Sequence, residues 1–150
     1  MIRINRLTDY AVVVLAEMSR GARVRTVSGI AADTGVPVPT VAKLMKALAH
    51  GGLVESHRGA AGGYSLARAA EAITVADIIE AVEGPIAITA CVEDGVDPCG
   101  IERLCPMHGH WSRINQAIRQ SLEGISLTEI AAVPVFEGPV EQGDWNRGYP

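Results

Sequence analysis

The chain has 150 residues, 48% of them hydrophobic and 20% charged, enough apolar matter for one compact domain or a small domain plus an extension, which excludes a wholly disordered chain. The formal net charge of −4 conceals a division: residues 1–68 hold nine Lys or Arg against four acids, whereas residues 69–150 hold four against thirteen. A basic first half suits a polyanionic partner; no run reaches the ~18 apolar residues of a membrane span and no secretion signal is evident, so a cytoplasmic location without a membrane partner is expected.

Leu7, Tyr10, Ala11, Val14, Leu15 and Met18 recur at helical spacing and predict a first helix over about 7–19, ending before Gly21. Residues 22–27 read as a short connection or edge strand. Thr26 or Ser28 can cap a short second helix carrying Ile30 and Ala31, which Gly35 stops. Pro39 suits the first turn of a third helix running to about His50, with Val41, Leu44, Met45 and Leu48 inward. Two short helices joined by a tight turn form a helix-turn-helix. Its second helix presents Thr40, Lys43 and Lys46 outward, as a helix entering a DNA groove requires.

LVESHRGAAGGYSLA then reads as strand (53–57), glycine-rich tip (59–63) and strand (64–67). A hairpin directly after a helix-turn-helix is a wing. Arg58 sits at its base, and Gly59, Gly62 and Gly63 let the tip approach a phosphate backbone closely. An arginine there can enter a minor groove. His50 and His57 read as surface or phosphate-contacting residues. After a linker at 69–72, Thr74 caps a helix with Val75, Ile78, Ile79 and Val82 inward, ended by Gly84-Pro85. A long helix is expected from Met107 to about Leu122, and its stripe of Trp111, Ile114, Ile118 and Leu122 looks like a dimer seam; packing back onto the first helix is the alternative. Thr128 starts a last short turn. Residues 133–150, rich in Gly and Pro, read as a flexible tail. The expected fold class is mainly α: a winged helix-turn-helix domain (1–70), then a cysteine loop and C-terminal dimerisation helix (71–132), then the tail.

All three cysteines fall in one acidic stretch, CVEDGVDPCGIERLCPMH, residues 91–108. Three thiols cannot all pair within a chain, which argues for metal or redox chemistry over a disulfide framework. The spacing is Cys-x7-Cys-x5-Cys-x2-His. Structural zinc sites prefer tight Cys-x2–4-Cys knuckles, whereas wide gaps suit an iron–sulfur cluster, with Gly95, Pro98 and Gly100 letting the loop wrap it. Zinc and a thiol redox switch remain the alternatives. His108 lies three residues from Cys105 and so could share a helical face with it, whereas His110 would point elsewhere. Asp94, Asp97 and Glu102 read as a solvated acidic surface. The chain has no Gly-rich nucleotide loop, no HExxH and no evident Ser/His/Asp set, so neither an enzyme nor a small-molecule substrate is expected.

LTDYAVVVLAEMS, VAKLMKALAHGGLVES, RGAAGGYSLAR and the three cysteines with a nearby histidine resemble the IscR-like winged-helix regulators that carry iron–sulfur clusters. The likeness covers about residues 1–130. RINRLTDYAVVVLA is most similar to the subgroup regulating SUF-type cluster assembly. The resemblance implies a homodimer on a palindromic double-stranded DNA operator, with the long helix crossing between subunits. It implies a cluster, [2Fe-2S] favoured and [4Fe-4S] the alternative, held by Cys91, Cys99, Cys105 and His108. It places Thr40, Ala42 and Lys43 on the base-reading face and Arg58 at the wing, with Lys46, His57 and Gly59 beside them. This chain departs from relatives in two places. Ala42 stands where some carry a glutamate that selects between operator classes, and seven residues separate the first two cysteines, a longer gap than in the best-known members.

Overall fold

The computed structural model describes residues 3–21, 23–89, 92, 106, 107 and 109–132. Helix α1 (Arg6–Arg20) starts one residue earlier than its periodicity predicts, because the Asn5 side chain accepts hydrogen bonds from the Leu7 and Thr8 amides. Its stripe of Ala11, Val14, Leu15 and Met18 is buried. Helix α2 (Val27–Thr34) is capped by Thr26 rather than Ser28: the Gly29 amide donates to Thr26 Oγ1 at 3.0 Å. Left-handed Gly35 ends it, and the buried Val36 fills the turn. Helix α3 (Val38–His50) begins with Pro39 in its first turn and buries Val41, Leu44, Met45 and Leu48, as the pattern predicts.

Strands β1 (Val54–His57) and β2 (Gly63–Leu66) pair antiparallel, His57 opposite Gly63 and Val54 opposite Leu66. The connection at 22–27 does contribute an edge. Arg25 and Tyr64 exchange two backbone hydrogen bonds at 2.8 Å, so the hairpin gains a third bridging segment beside β2. A Cβ at Gly63 would lie 2.4 Å from the Arg25 carbonyl oxygen, so only glycine admits this close approach.

One 3₁₀ turn (Ala70–Ala72) leads to α4 (Val75–Glu83). Thr74 caps it reciprocally: Thr74 Oγ1 accepts from the Asp77 amide, and the Asp77 carboxylate accepts from the Thr74 amide. Ile78 and Ala76 are buried, but the expected inward residues Val75, Ile79 and Val82 are only half-buried within one chain. Ile79 instead opens onto a groove shared with Ile4, Ile86, Ile88, Ile118 and Leu122.

Helix α5 (His110–Glu123) begins three residues later than expected. Gly109 precedes it with φ +77°, a left-handed conformation that a helix cannot run through. Cys105 and His108, expected to share a helical face, lie outside the described residues. Helix α6 (Leu127–Ala132) starts one residue before Thr128. Hydrogen bonds from Leu127 to Ile73 and from Val75 to Ile125 hold it against the start of α4. The Arg20 guanidinium reaches back from α1 to the Ala131 carbonyl. The expected tail at 133–150 lies outside the described residues.

Burial raises the Asp77 carboxyl, but hydrogen bonds from Thr74 and the Arg68 guanidinium at 3.2 Å outweigh it and hold the group below the ordinary carboxylate range. Its stabilising contribution is complete above about pH 4 and fades as pH falls through the depressed value. Thr74→Ala should lower unfolding stability by about 1 kcal/mol at neutral pH. In urea unfolding, the penalty of Asp77→Asn should stay constant from neutral pH down to about pH 5 and shrink only as pH falls below about 4.

Candidate nucleic-acid interface and the anchored cysteine segment

The outward face of α3 is graded along its length. Val38 and Pro39 are exposed in the first turn, Lys43 and Lys46 in the middle, and His50 at the end. Thr40 and Ala42 are half-buried on its two flanks. The helix contains no acidic residue. Thr40, Ala42, Lys43 and Lys46 thus share the accessible side of one helix, while Val41, Leu44, Met45 and Leu48 dock it on the core. Lysines there can meet phosphates without a nearby carboxylate competing for them.

Arg58 and Gly59 lie in the exposed turn of the wing, closed by a hydrogen bond from the Gly62 amide to the Gly59 carbonyl at 3.0 Å. A Cβ at Gly62 would meet the His57 and Gly59 carbonyl oxygens at 2.5 and 2.8 Å, so this glycine keeps the tip tight. His57 is exposed, but its Nε2 lies 2.7 Å from Ser65 Oγ on the opposite strand. Its imidazole therefore braces the hairpin as well as facing solvent.

Arg25 holds the wing to the helices. Its side chain is 13% exposed and pairs with Asp33 of α2 and, at 3.8 Å, with Glu17 of α1. Its backbone meanwhile bonds to Tyr64 of the wing. One guanidinium thus neutralises two of the four acids of the basic half while the same residue's main chain fixes β2. An isolated arginine gives no periodic signal, so sequence reasoning missed this role. Val38 escaped for a related reason: it breaks no apolar stripe.

The proposed ligands Cys91, Cys99, Cys105 and His108 lie outside the described residues. Among the described residues no group of three or more His, Cys, Asp or Glu could hold a metal ion. The flanks of the segment are described, and Asn115 of α5 holds the near one. Asn115, 7% exposed, donates from Nδ2 to the Ile86 carbonyl at 2.8 Å and accepts the Ile88 amide on Oδ1 at 3.1 Å. Val92, next to Cys91, is buried and borders a cleft with Ser112, Asn115 and Gln116. On the far side, Pro106 and Met107 border a depression with His110, Arg113 and Ile114. Arg119 in turn ties α5 to α4 through Glu80 at 3.2 Å. Trp111, Ile118 and Leu122 of the expected seam are half-buried, and Ile114 is 40% exposed.

The family profile described as "Rrf2: Iron-dependent Transcriptional regulator" matches residues 4–133. The chain belongs to the Rrf2 family. Its relatives include the transcriptional repressor NsrR of Streptomyces coelicolor, 28% identical over 95% of this chain and 97% of that protein. The solved structure of CymR, the global cysteine regulator of Bacillus subtilis, superposes with a TM-score of 0.68 at 28% identity, covering 90% of this chain and all of that one. The structure of T. potens IscR has a TM-score of 0.61 at 26% identity, covering 86% and 85% of the two chains. These Rrf2 relatives are transcription regulators, not enzymes, and their winged-helix structures match the fold described above. Among the described residues of this Rrf2 chain no helix is long and apolar enough to cross a membrane.

Replacing Arg25 by Met should destabilise the protein by about 1–2 kcal/mol: the Glu17 and Asp33 carboxylates lose their guanidinium, and only the half-exposed Asp33 readily recovers hydration. Chemical denaturation measures this loss. Arg25→Lys should recover only part of it, because one ammonium cannot engage two carboxylates with the fork of a guanidinium.

Proposed function

We propose that this Rrf2 protein is a homodimeric, DNA-binding repressor that senses iron or cluster status and controls iron–sulfur cluster assembly genes of the SUF type. The observation that carries this reading is the anchoring of a three-cysteine, one-histidine segment, through Asn115 and Val92, on the helix that bears a half-exposed apolar stripe. Cys91, Cys99, Cys105 and His108 form a donor set of three soft thiolates and an imidazole, which fits an iron–sulfur cluster in chemical type. A cluster held by these residues would supply a group that iron shortage or oxidation can remove. The chain's own part is mechanical. Asn115 and Val92 hold one end of the segment on α5, residues 106–109 lead into α5 from the other, and Arg119 passes any tilt of α5 to α4. Paired across a two-fold axis, the Trp111, Ile114, Ile118 and Leu122 stripes set the separation of two α3 helices. A palindromic operator accepts only one such separation, close to a helical turn of DNA. Thr40, Ala42, Lys43 and Lys46 in the major groove, and His57, Arg58 and Gly59 at the neighbouring backbone or minor groove, make the contacts. The family's description as iron-dependent and the likeness to IscR support the cluster reading.

A second reading follows from the likeness to CymR, a cysteine regulator, which has also been solved in an oxidised form from Staphylococcus aureus at a TM-score of 0.63. In it the same cysteines act as a thiol switch, or hold structural zinc, without a cluster. Anaerobic purification with iron and sulfide counting separates these readings. Protein with equal iron and sulfide is expected, and operator affinity should differ at least several-fold between as-isolated, cluster-free and Cys99→Ala protein. Identical affinities would remove the sensing role, and iron-free protein that reconstitution leaves colourless would favour the second reading.

A further inference from the structure

A recognition helix enters the major groove with its N-terminal residues nearest the bases. In α3 that end is apolar. Val38 is 48% exposed, Pro39 is exposed, and Ala42 stands one turn after Val38 on the same flank. Proline has no amide hydrogen, and neither valine nor alanine offers a side-chain donor or acceptor. The cations begin only in the second turn, at Lys43 and Lys46. A single exposed valine on a protein surface needs no explanation. This one, however, sits between two prolines at the tip of a helix that also exposes Lys43 and Lys46, and α3 has no acid to repel DNA. The hydrogen-bond code of the groove therefore has few readers here except Thr40. One groove feature can be read by apolar contact, the C5-methyl group of thymine.

Resting on the DNA-binding reading above, we propose that Val38, with Pro39 and Ala42, is a specificity determinant that packs on thymine methyl groups, so each operator half-site carries thymine opposite the first turn of α3. Lys43 and Lys46 then provide attraction to the backbone that is largely indifferent to base identity.

The test uses the full chain purified anaerobically. A duplex is first selected from a random library, and thymines in the selected site are replaced one at a time by uracil, which removes the methyl alone. Affinity should fall about three- to four-fold, the worth of one buried methyl, at one or two thymines in each half-site. Val38→Ala, made at an exposed position and checked by thermal melting, should bind the thymine and uracil duplexes alike at those positions. Lys43→Ala should weaken both duplexes by the same factor and lower the salt slope by about one. Tight binding with a flat uracil scan overturns the assignment while leaving DNA binding intact. A scan that stays sensitive in Val38→Ala overturns the role of Val38. Failure to enrich any duplex removes the DNA-binding reading itself, and this proposal with it.

Discussion

The buried stripe of α1 is the surface on which every other described layer of the protein depends. Ala11, Val14, Leu15 and Met18 meet residues of α2 and α3 on one side and of α4 and α6 on the other, and all contribute to one hydrophobic cluster. The elements that face DNA therefore share one close-packed core with α4, through Ile78, and with α6, through Leu127. Such cores have low compressibility and transmit displacement rather than absorbing it. Where Gly51 ends α3, a Cβ would lie 2.5 Å from the Ala81 side chain of α4, which leaves little room for sliding.

The same economy appears in the electrostatics. The basic half holds only four acids, and two of them, Glu17 and Asp33, are turned toward Arg25. Lys43, Lys46 and Arg58 are left exposed on the other side of the molecule's recognition elements. Arg68, the last cation of this half, pairs with Asp77 and belongs to the α4 cap. Exposed cations thus stand on α3 and at the wing tip, with Arg3, Arg6 and Arg23 exposed elsewhere in the basic half, although the chain as a whole is acidic. Association with DNA at such a surface is expected to steepen with falling salt.

Much of this arrangement was legible from residues alone. The helical stripes of α1 and α3 bury the residues their spacing names, because no competing tertiary demand overrides a strong 3.6-residue period there. Thr74 and Gly35 marked helix ends because capping and left-handed backbone are local chemistry. Local reasoning failed where long-range contacts decide. Asn5 rather than Leu7 sets the start of α1, and an arginine in a featureless connection turns out to brace the wing. Ile79 is half-buried because it faces a groove between α4 and α5, whereas Val82, also half-buried, packs against the core. The late start of α5 turned on one glycine, whose left-handed φ no hydrophobic pattern announces. The cysteine segment was legible only as composition and spacing.

Asn115 shows why spacing alone undersells that segment. A polar residue in the middle of α5 reads, on a helical wheel, as an interruption of the apolar stripe. In the fold it is the one buried residue of α5, and both ends of its amide are spent on the backbone of residues 86 and 88. Replacing such a group by an apolar one would strand a buried carbonyl and a buried amide, so the position demands a side chain with both a donor and an acceptor. A helix that merely covered its neighbours would have no use for this device. A helix required to keep residues 86 and 88 in fixed register with itself does, because an amide bonded at two points fixes orientation where apolar packing fixes only proximity.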